Sequence, residues 1–357
     1  MSRVVLPKKS FLKNAAVNAA SGGGPRVTVI IPTYNRASMV PRAIRSVLDQ
    51  TISDLELIVV EDASPDNTAE VVSRIEDPRL RLVRLAKNGG DWHARNVAIA
   101  QARGEWVAFL DDDNEWLPDK LERQFARIEQ GPERDAAVIN CRFQLVTEDG
   151  PQPVRGTGQR PEGDVLDLAL GAKQVIIPSA HMVKRSALLA VGGFEESLVG
   201  LGDYDLWVRL ALAGYRFASA PEVLVIKYEA HEHISADPVV RVRAFRGRDR
   251  RWGALTRERF GVDEYRRWRR NSSKKHARAH RKHVRRIMRS GSRAQAWRYA
   301  RRMVPGLPWG ASFVAKALAV ALFGRVPYRL SRLAKRRTKA PALVSANEDI
   351  DVGAGRP

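Results

Sequence analysis

The chain has 357 residues, a formal net charge of +21 and one cysteine, Cys141, which excludes an internal disulfide and a cysteine-built metal site and fits a reducing, cytoplasmic setting. The length predicts two domains, or one with an extension. No apolar stretch reaches the roughly 20 residues of a bilayer-crossing helix, and no signal-peptide core precedes the Gly-rich residues 21–25. The charge is uneven: residues 241–340 hold 32 Lys and Arg against 4 Asp and Glu, whereas residues 1–240 hold 28 against 33. This predicts chemistry in front and a polyanionic surface partner behind.

In chain order, residues 1–25 read as a flexible leader. Residues 27–31 (VTVII) form a buried strand that Pro32-Thr33-Tyr34-Asn35-Arg36 ends. Residues 40–49 carry apolar Val40, Ala43, Ile44, Val47 and Leu48 at helical spacing. A second strand over 55–60 stops at Glu61-Asp62, and Asp66-Asn67-Thr68 supply cap chemistry for a helix over 68–76. A third strand covers 80–85, a helix 92–102, and a fourth strand 105–110. This alternation predicts an α/β fold with a doubly wound, mostly parallel sheet. Residues 119–129 look helical, 140–180 mix short strands and loops, and a helix opens at Gly202-Asp203-Tyr204-Asp205.

The most telling segment is Asp111-Asp112-Asp113, directly after the fourth strand. Three adjacent carboxylates repel one another, and a divalent cation carrying a phosphate-bearing substrate is a natural reason to collect them. The bland alternative is a solvated acidic loop. Three further polar clusters stand at equivalent strand ends and weigh against it: Thr33-Tyr34-Asn35, Glu61-Asp62-Ala63-Ser64 and Asn88-Gly89-Gly90. Parallel sheets bind ligands at that edge. No GxGxxG follows the first strand and no GxxxxGK[ST] occurs anywhere, which argues against a dinucleotide fold and a P-loop.

The segments VTVIIPTYNR (27–36), LIVVEDASPDNT (57–68), NGGDWHARN (88–96), GEWVAFLDDDNEWLPDKLERQ (104–124) and GDYDLWVRLALAG (202–214), in that order, make residues 27–235 resemble a family 2 glycosyltransferase of the GT-A fold. The resemblance covers about three-fifths of the chain and leaves residues 241–357 aside. It implies an inverting transfer from a nucleotide-diphosphate sugar to a hydroxyl acceptor, with Mn2+ or Mg2+ as cofactor, in cell-surface polysaccharide or glycolipid synthesis. Asp111 and Asp113 match the family's DxD spacing, with Asp113 the favoured metal ligand and Asp112 at the ribose or the metal. Pro32, Thr33, Tyr34 and Asn35 would line the nucleoside pocket. Asp62 would bind the base with Ser64 beside it, Arg95 would lie near the base or diphosphate, and Gly90 would let backbone approach closely. The catalytic base is the aspartate of a family Glu-Asp pair. Here the pair reads Gly202-Asp203, which keeps Asp203 as base and leaves Asp205 as the alternative. His231 matches a histidine that assists at the metal or diphosphate, with His233 close enough to confuse the assignment. Of the tryptophans, Trp106 and Trp207 would pack in the core, Trp92 could pass for a sugar-stacking platform, and Trp116 would lie near an acceptor.

This division predicts a leader (1–25), a transferase domain (26–235), a basic helical extension (236–340) and a tail (341–357). Arginine-rich helices, interleaved tryptophans and the short apolar run 311–323 suggest attachment to anionic lipid headgroups at the inner membrane face, which would suit a lipid-linked acceptor. A charged helical extension packed on the domain is the equal alternative, and nucleic acid ranks last. Two other functions compete: a sugar nucleotidyltransferase, which would need a Gly-rich basic loop after the first strand, and a non-catalytic scaffold, favoured only by the missing glutamate at 202.

Overall fold

The computed structural model describes residues 24–152, 162–171, 177–228, 238–290 and 292–303. The expected leader, His231, His233, the apolar run 311–323 and the tail lie outside the described residues. The chain divides into two compact units between Ser272 and Ser273.

Unit one is built on a mixed sheet. In chain order its elements are β1 (Val27–Thr33), α1 (Val40–Leu48), β2 (Leu55–Glu61), α2 (Thr68–Ser73), β3 (Leu80–Arg84), α3 (Asp91–Gln101), β4 (Trp106–Phe109), β5 (Asn114–Trp116), α4 (Lys120–Gln130), β6 (Val138–Thr147), β7 (Gly150–Pro151), α5 (Leu166–Gly171), β8 (His181–Lys184), α6 (Arg185–Val191), α7 (Gly202–Leu212) and β9 (Phe217–Tyr228). A helical stretch, α8 (Pro238–Ser290), follows and is broken at Gly261 (φ 78°), with α9 (Arg293–Met303) after it. The strand order is β3-β2-β1-β4-β8-β6-β9-β5, and β7 pairs with β6. The pairs among β3, β2, β1 and β4 are parallel, as expected. The β4–β8, β6–β8 and β5–β9 pairs are antiparallel, and β6–β9 is parallel.

The period-two alternation of β1 explains the two-sided core. Val27, Val29 and Ile31 face one side, where Val40, Ile44 and Val47 of α1, Val72 of α2 and Phe125 of α4 cover them. Ile30 faces the other side, packed with Ala94, Ala98 and Ile99 of α3, Leu188 of α6 and Leu206 of α7. Strands buried on both faces read as continuous apolar runs, which is why β1 and β2 show so clearly in the sequence. Pro32 does not end β1; it pairs in register with Val60, beyond the last β4 pairing of Ile30 with Phe109, where the ladder on that side has stopped. Over 140–180, where short strands and loops are expected, the described residues hold most of the ten-residue β6, the two-residue β7 and the short helix α5; the long β9 lies further on, at Phe217–Tyr228.

Unit one extends past β9. Trp252 of α8 packs with Ala169 and Leu170 of α5 and Val208 of α7. The buried Asp205 accepts from Arg209 Nε at 2.7 Å and from Trp252 Nε1 at 3.1 Å, and pairs with Arg251 Nε at 2.5 Å. Arg209 in turn donates to the carbonyls of Val191 and Gly193, both at 2.6 Å. Asp205 is therefore a structural anchor, sealed from solvent, and the alternative assignment as base does not fit.

Candidate functional site

Four strand ends meet at one edge. After β1, Asn35 takes φ 54°, and after β2, Ala63 takes φ 56°. Left-handed backbone at two non-glycine residues marks a tightly determined pair of loops. They are tied together: Asp62 N donates to Thr33 O at 3.0 Å, and Asn35 N to Ser64 Oγ at 3.0 Å. Thr33, Asn35, Asp62 and Ser64 thus come together, with Pro32 beneath them in the strand and Tyr34 exposed at the rim.

Asp62 ties in the third loop. Its carboxylate oxygens accept from Gly89 N and Gly90 N, each at 2.8 Å, and Asn88 Nδ2 donates to its carbonyl at 3.1 Å. Both oxygens are occupied by backbone, so this side chain sets the shape of the loop that starts α3. Gly90, the residue before that helix, takes φ 84°, a conformation glycine adopts without steric cost.

The triplet after β4 spreads its carboxylates to three environments. Asp111 Oδ1 accepts from Arg95 Nη2 at 2.6 Å, Oδ2 accepts from Asn114 Nδ2 at 3.1 Å, and its N–H donates to Ser179 Oγ at 3.0 Å. Asp112 Oδ2 accepts from Thr33 Oγ1 at 2.8 Å. The backbone carbonyl of Asp113 accepts from Arg42 Nη2 at 2.9 Å, and its side chain is buried. Burial pushes Asp112 up to about 7, the neighbouring Asp113 adds to this, and the Thr33 bond and Arg36 oppose it.

Helix α3 delivers a basic and an acidic group to the same place. Arg95, 1% exposed, pairs with Asp91 one turn earlier as well as with Asp111. Asp91, the first residue of α3, was not singled out in the sequence because a lone acid at a helix start reads as a cap. Burial raises its pKa, Arg95 opposes, and Asp111 and Asp113 raise it further. Its side chain nonetheless keeps 45% of its surface accessible.

Helix α7 supplies the remaining carboxylate. Asp203, in its first turn, accepts a bond from Tyr204 N at 2.7 Å. Burial pushes it up to about 6, the Tyr204 bond opposes, Asp111 and Asp91 raise it, and Arg95 lowers it. Asp203 therefore stands within electrostatic reach of Asp91, Asp111 and Arg95, although about 90 residues separate it from the triplet along the chain. Asn96 fixes the approach to α7: Nδ2 donates to Phe194 O at 2.9 Å and Glu196 Oε1 at 2.7 Å, and Oδ1 accepts from Phe194 N at 2.8 Å. Asn96, Asn114 and Ser179 act only through contacts made in three dimensions, and no sequence spacing announced them.

Two tryptophan expectations change. Trp116 is buried, donates Nε1 to Ser179 O at 2.8 Å and carries the Lys120 ammonium 3.7 Å above its ring, so it cannot face an acceptor. Trp92 stacks on Phe194 with centroids 5.0 Å apart, while backbone at Gly202 covers it closely, so its ring offers no free platform. Trp106 and Trp207 are buried, as expected.

A hard divalent cation suits the oxygen donors gathered here. Burial first, and neighbouring carboxylates after it, raise the proton affinities of Asp112, Asp91 and Asp203, and a cation would relieve the second of these causes. No cluster of three metal-ligating side chains is preformed among the described residues, so substrate oxygens would have to complete a coordination shell.

Residues 28–191 match the model of glycosyl transferase family 2; Asp203 lies just beyond the match. Among curated relatives, the glycosyltransferase TuaG of Bacillus subtilis, named for teichuronic acid biosynthesis, is 38% identical over 148 residues, 41% of this chain and 57% of TuaG. The succinoglycan biosynthesis protein ExoO of Rhizobium meliloti is 40% identical over 126 residues, 35% of each chain. The chain thus spans from about a third to just over half the length of these two relatives. Among solved structures, TarS 1-349 of S. aureus in complex with UDP-GlcNAc superposes with a TM-score of 0.52 at 19% identity, covering 86% of this chain and 92% of that one. The mannosyltransferase PcManGT of Pyrobaculum calidifontis, in complex with GDP-Man and Mn2+, gives 0.51 at 22% identity, covering 88% and 94%. These likenesses establish the GT-A fold.

Proposed function

Given a chain that belongs to glycosyl transferase family 2 through residues 28–191, we propose that it transfers a sugar, with inversion, from a nucleotide-diphosphate sugar to a hydroxyl acceptor in cell-surface polysaccharide or glycolipid synthesis. The observation that carries this reading is the convergence of Asp203 on the group Arg95, Asp91 and Asp111. On this reading the partly exposed Asp203 carboxylate would lie across from the diphosphate.

The nucleoside would lie between the loops carrying Thr33, Tyr34 and Asn35 and those carrying Asp62 and Ser64, with Gly90 giving close backbone approach. Arg95, already charged and held by two carboxylates, would face the diphosphate oxygens. Asp113 and Asp111 would hold a divalent cation, Mn2+ or Mg2+, whose chemistry is Lewis-acid neutralisation of the leaving diphosphate. Asp203 would take the proton from the acceptor hydroxyl as its oxygen bonds to the anomeric carbon. The bond from that carbon to the diphosphate oxygen breaks, and the nucleoside diphosphate leaves with the electron pair.

The relatives named for teichuronic acid and succinoglycan biosynthesis support a polysaccharide acceptor. Among the described residues no helix is long and apolar enough to cross a membrane. The stretch 266–290 holds 12 Lys and Arg and no Asp or Glu, which supports peripheral attachment to an anionic membrane surface, where each cation near the surface adds about 1 kcal/mol.

The test is a thermal-shift screen of UDP-, GDP- and dTDP-sugars with manganese, followed by nucleoside diphosphate release. A shift and release for one donor support the reading; no binding and no release for any of them overturn it. Asp113→Asn is expected to abolish the metal-dependent part of nucleotide binding, and unchanged binding would remove its ligand role.

A further inference from the structure

The starts of α3 and α7 touch. Gly202, the first residue of α7, lies on the indole of Trp92, the second residue of α3: a Cβ at 202 would come within 2.6 Å of Cε2 and 2.8 Å of Cδ2 and Nε1. The indole is held from its other sides by stacking on Phe194 and by the bond from Nε1 to Leu198 O at 3.1 Å. A carboxylate flanks this contact on each helix, Asp91 just before Trp92 and Asp203 just after Gly202. Both keep solvent access, whereas Asp205, two residues further along α7, is sealed.

Arg95 stands among them. It is almost fully buried, ties Asp91 to Asp111, and leaves its Nε without a hydrogen-bond partner. An unsatisfied buried donor, the exposed Asp91 carboxylate and the partly exposed Asp203 carboxylate make this junction polar, while the Trp92 indole between them is taken up by Phe194 and Gly202. Ionised carboxylates accept hydrogen bonds and do not donate them, so a neutral ligand at this junction must bring donors of its own.

We propose that the α3–α7 junction is the acceptor subsite, and that Asp91 accepts a hydrogen bond from a second acceptor hydroxyl while the reacting hydroxyl lies at Asp203. The acceptor is then a polyol, a sugar or glycerol unit with two neighbouring hydroxyls. This rests on the transferase reading above. A hydroxyl bonded to an ionised group contributes enough to change acceptor use by roughly 10- to 100-fold.

The experiment uses the full chain and the donor found in the screen, and follows three acceptors: water, 1-propanol, and a polyol probe, either glycerol or methyl β-D-glucopyranoside. Wild type is expected to prefer the polyol over 1-propanol. Asp91→Asn is expected to lower kcat/KM for the polyol at least tenfold more than it lowers donor hydrolysis, mainly through acceptor KM, with Asp91→Glu restoring part of it. Equal loss of hydrolysis and polyol transfer would mean that Asp91 acts only through Arg95, and would overturn the subsite. So would unchanged polyol transfer, or a wild type that hydrolyses donor and does not discriminate between polyol and 1-propanol. A wild type that neither binds nor hydrolyses any donor overturns the transferase reading itself, and the subsite with it.

Discussion

The indole of Trp92 fills the space that a side chain at position 202 would need. The glycine at the position where the resemblance implies a glutamate is therefore matched to a large neighbour on another helix. Gly202→Ala forces the ring or the helix start to move, at a cost of about 1–3 kcal/mol. Trp92→Ala opens the space, so the double variant is expected to show little of the alanine penalty at 202. Urea unfolding of the four proteins in a double-mutant cycle measures the coupling, expected at roughly 1–3 kcal/mol; additive losses would show that the two positions are independent.

The role proposed for Asp203 fixes the sign of a pH dependence. Burial and the neighbouring carboxylates raise it to about 6, so below that pH the group is protonated and cannot accept a proton. Transfer is expected to rise with pH through a midpoint near 6 and to lose that limb in Asp203→Asn, with turnover down roughly 100- to 10,000-fold and donor binding retained. Full turnover in Asp203→Asn would move the base elsewhere.

Lys120 supplies a second pH effect, on stability. Its ammonium is fully buried, bonded to Gln124 Oε1 at 2.7 Å, and burial lowers its pKa to about 8 from 10.5. Between these values the unfolded chain binds more protons than the folded one, so this group makes stability rise with pH across that window, by about 3 kcal/mol. Lys120→Met is expected to remove that rise, read as the difference between the two proteins' urea midpoints at pH 7.5 and pH 10. Parallel curves would refute it.

The parts legible in the sequence share a physical cause. Strands β1 and β2 and helix α1 appear where expected because full burial demands unbroken apolar runs or strict helical spacing. Strand β5 has three residues, Asn114–Trp116, and exists through its pairing with Lys227, Ile226 and Val225 of β9. Such a strand has no local signature. In the site, Asp111–Asp113 and Asp203 stood out because their charge conflicts with their setting. Asp91 escaped notice because an acid at a helix start is locally ordinary. The helix over 68–76 ends early, at Ser73; Asn67 holds its N-cap position, and the side-chain bond at that end comes from Asp66, which accepts from Thr68 N at 3.1 Å.

Asp205 tests the attachment of α8. Asp205→Ala leaves the Arg209 guanidinium buried without its carboxylate, a loss of roughly 3–5 kcal/mol. Arg251→Ala, whose partner keeps Arg209 and Trp252, is expected to cost less than half of that. Urea unfolding orders the two, and equal losses would show that Arg251 carries as much of the network as Asp205.

The bond between Asp205 and the Arg251–Trp252 pair has a bearing on how such a protein can evolve. Helix α7 borrows part of its interior from sequence well past the family match, so a working copy of one needs the other. A recombination that grafted a different tail at the end of β9 would hand α7 an unmatched buried charge. A tail exchanged beyond Phe260, the last α8 residue packed on this cluster, would leave the network whole.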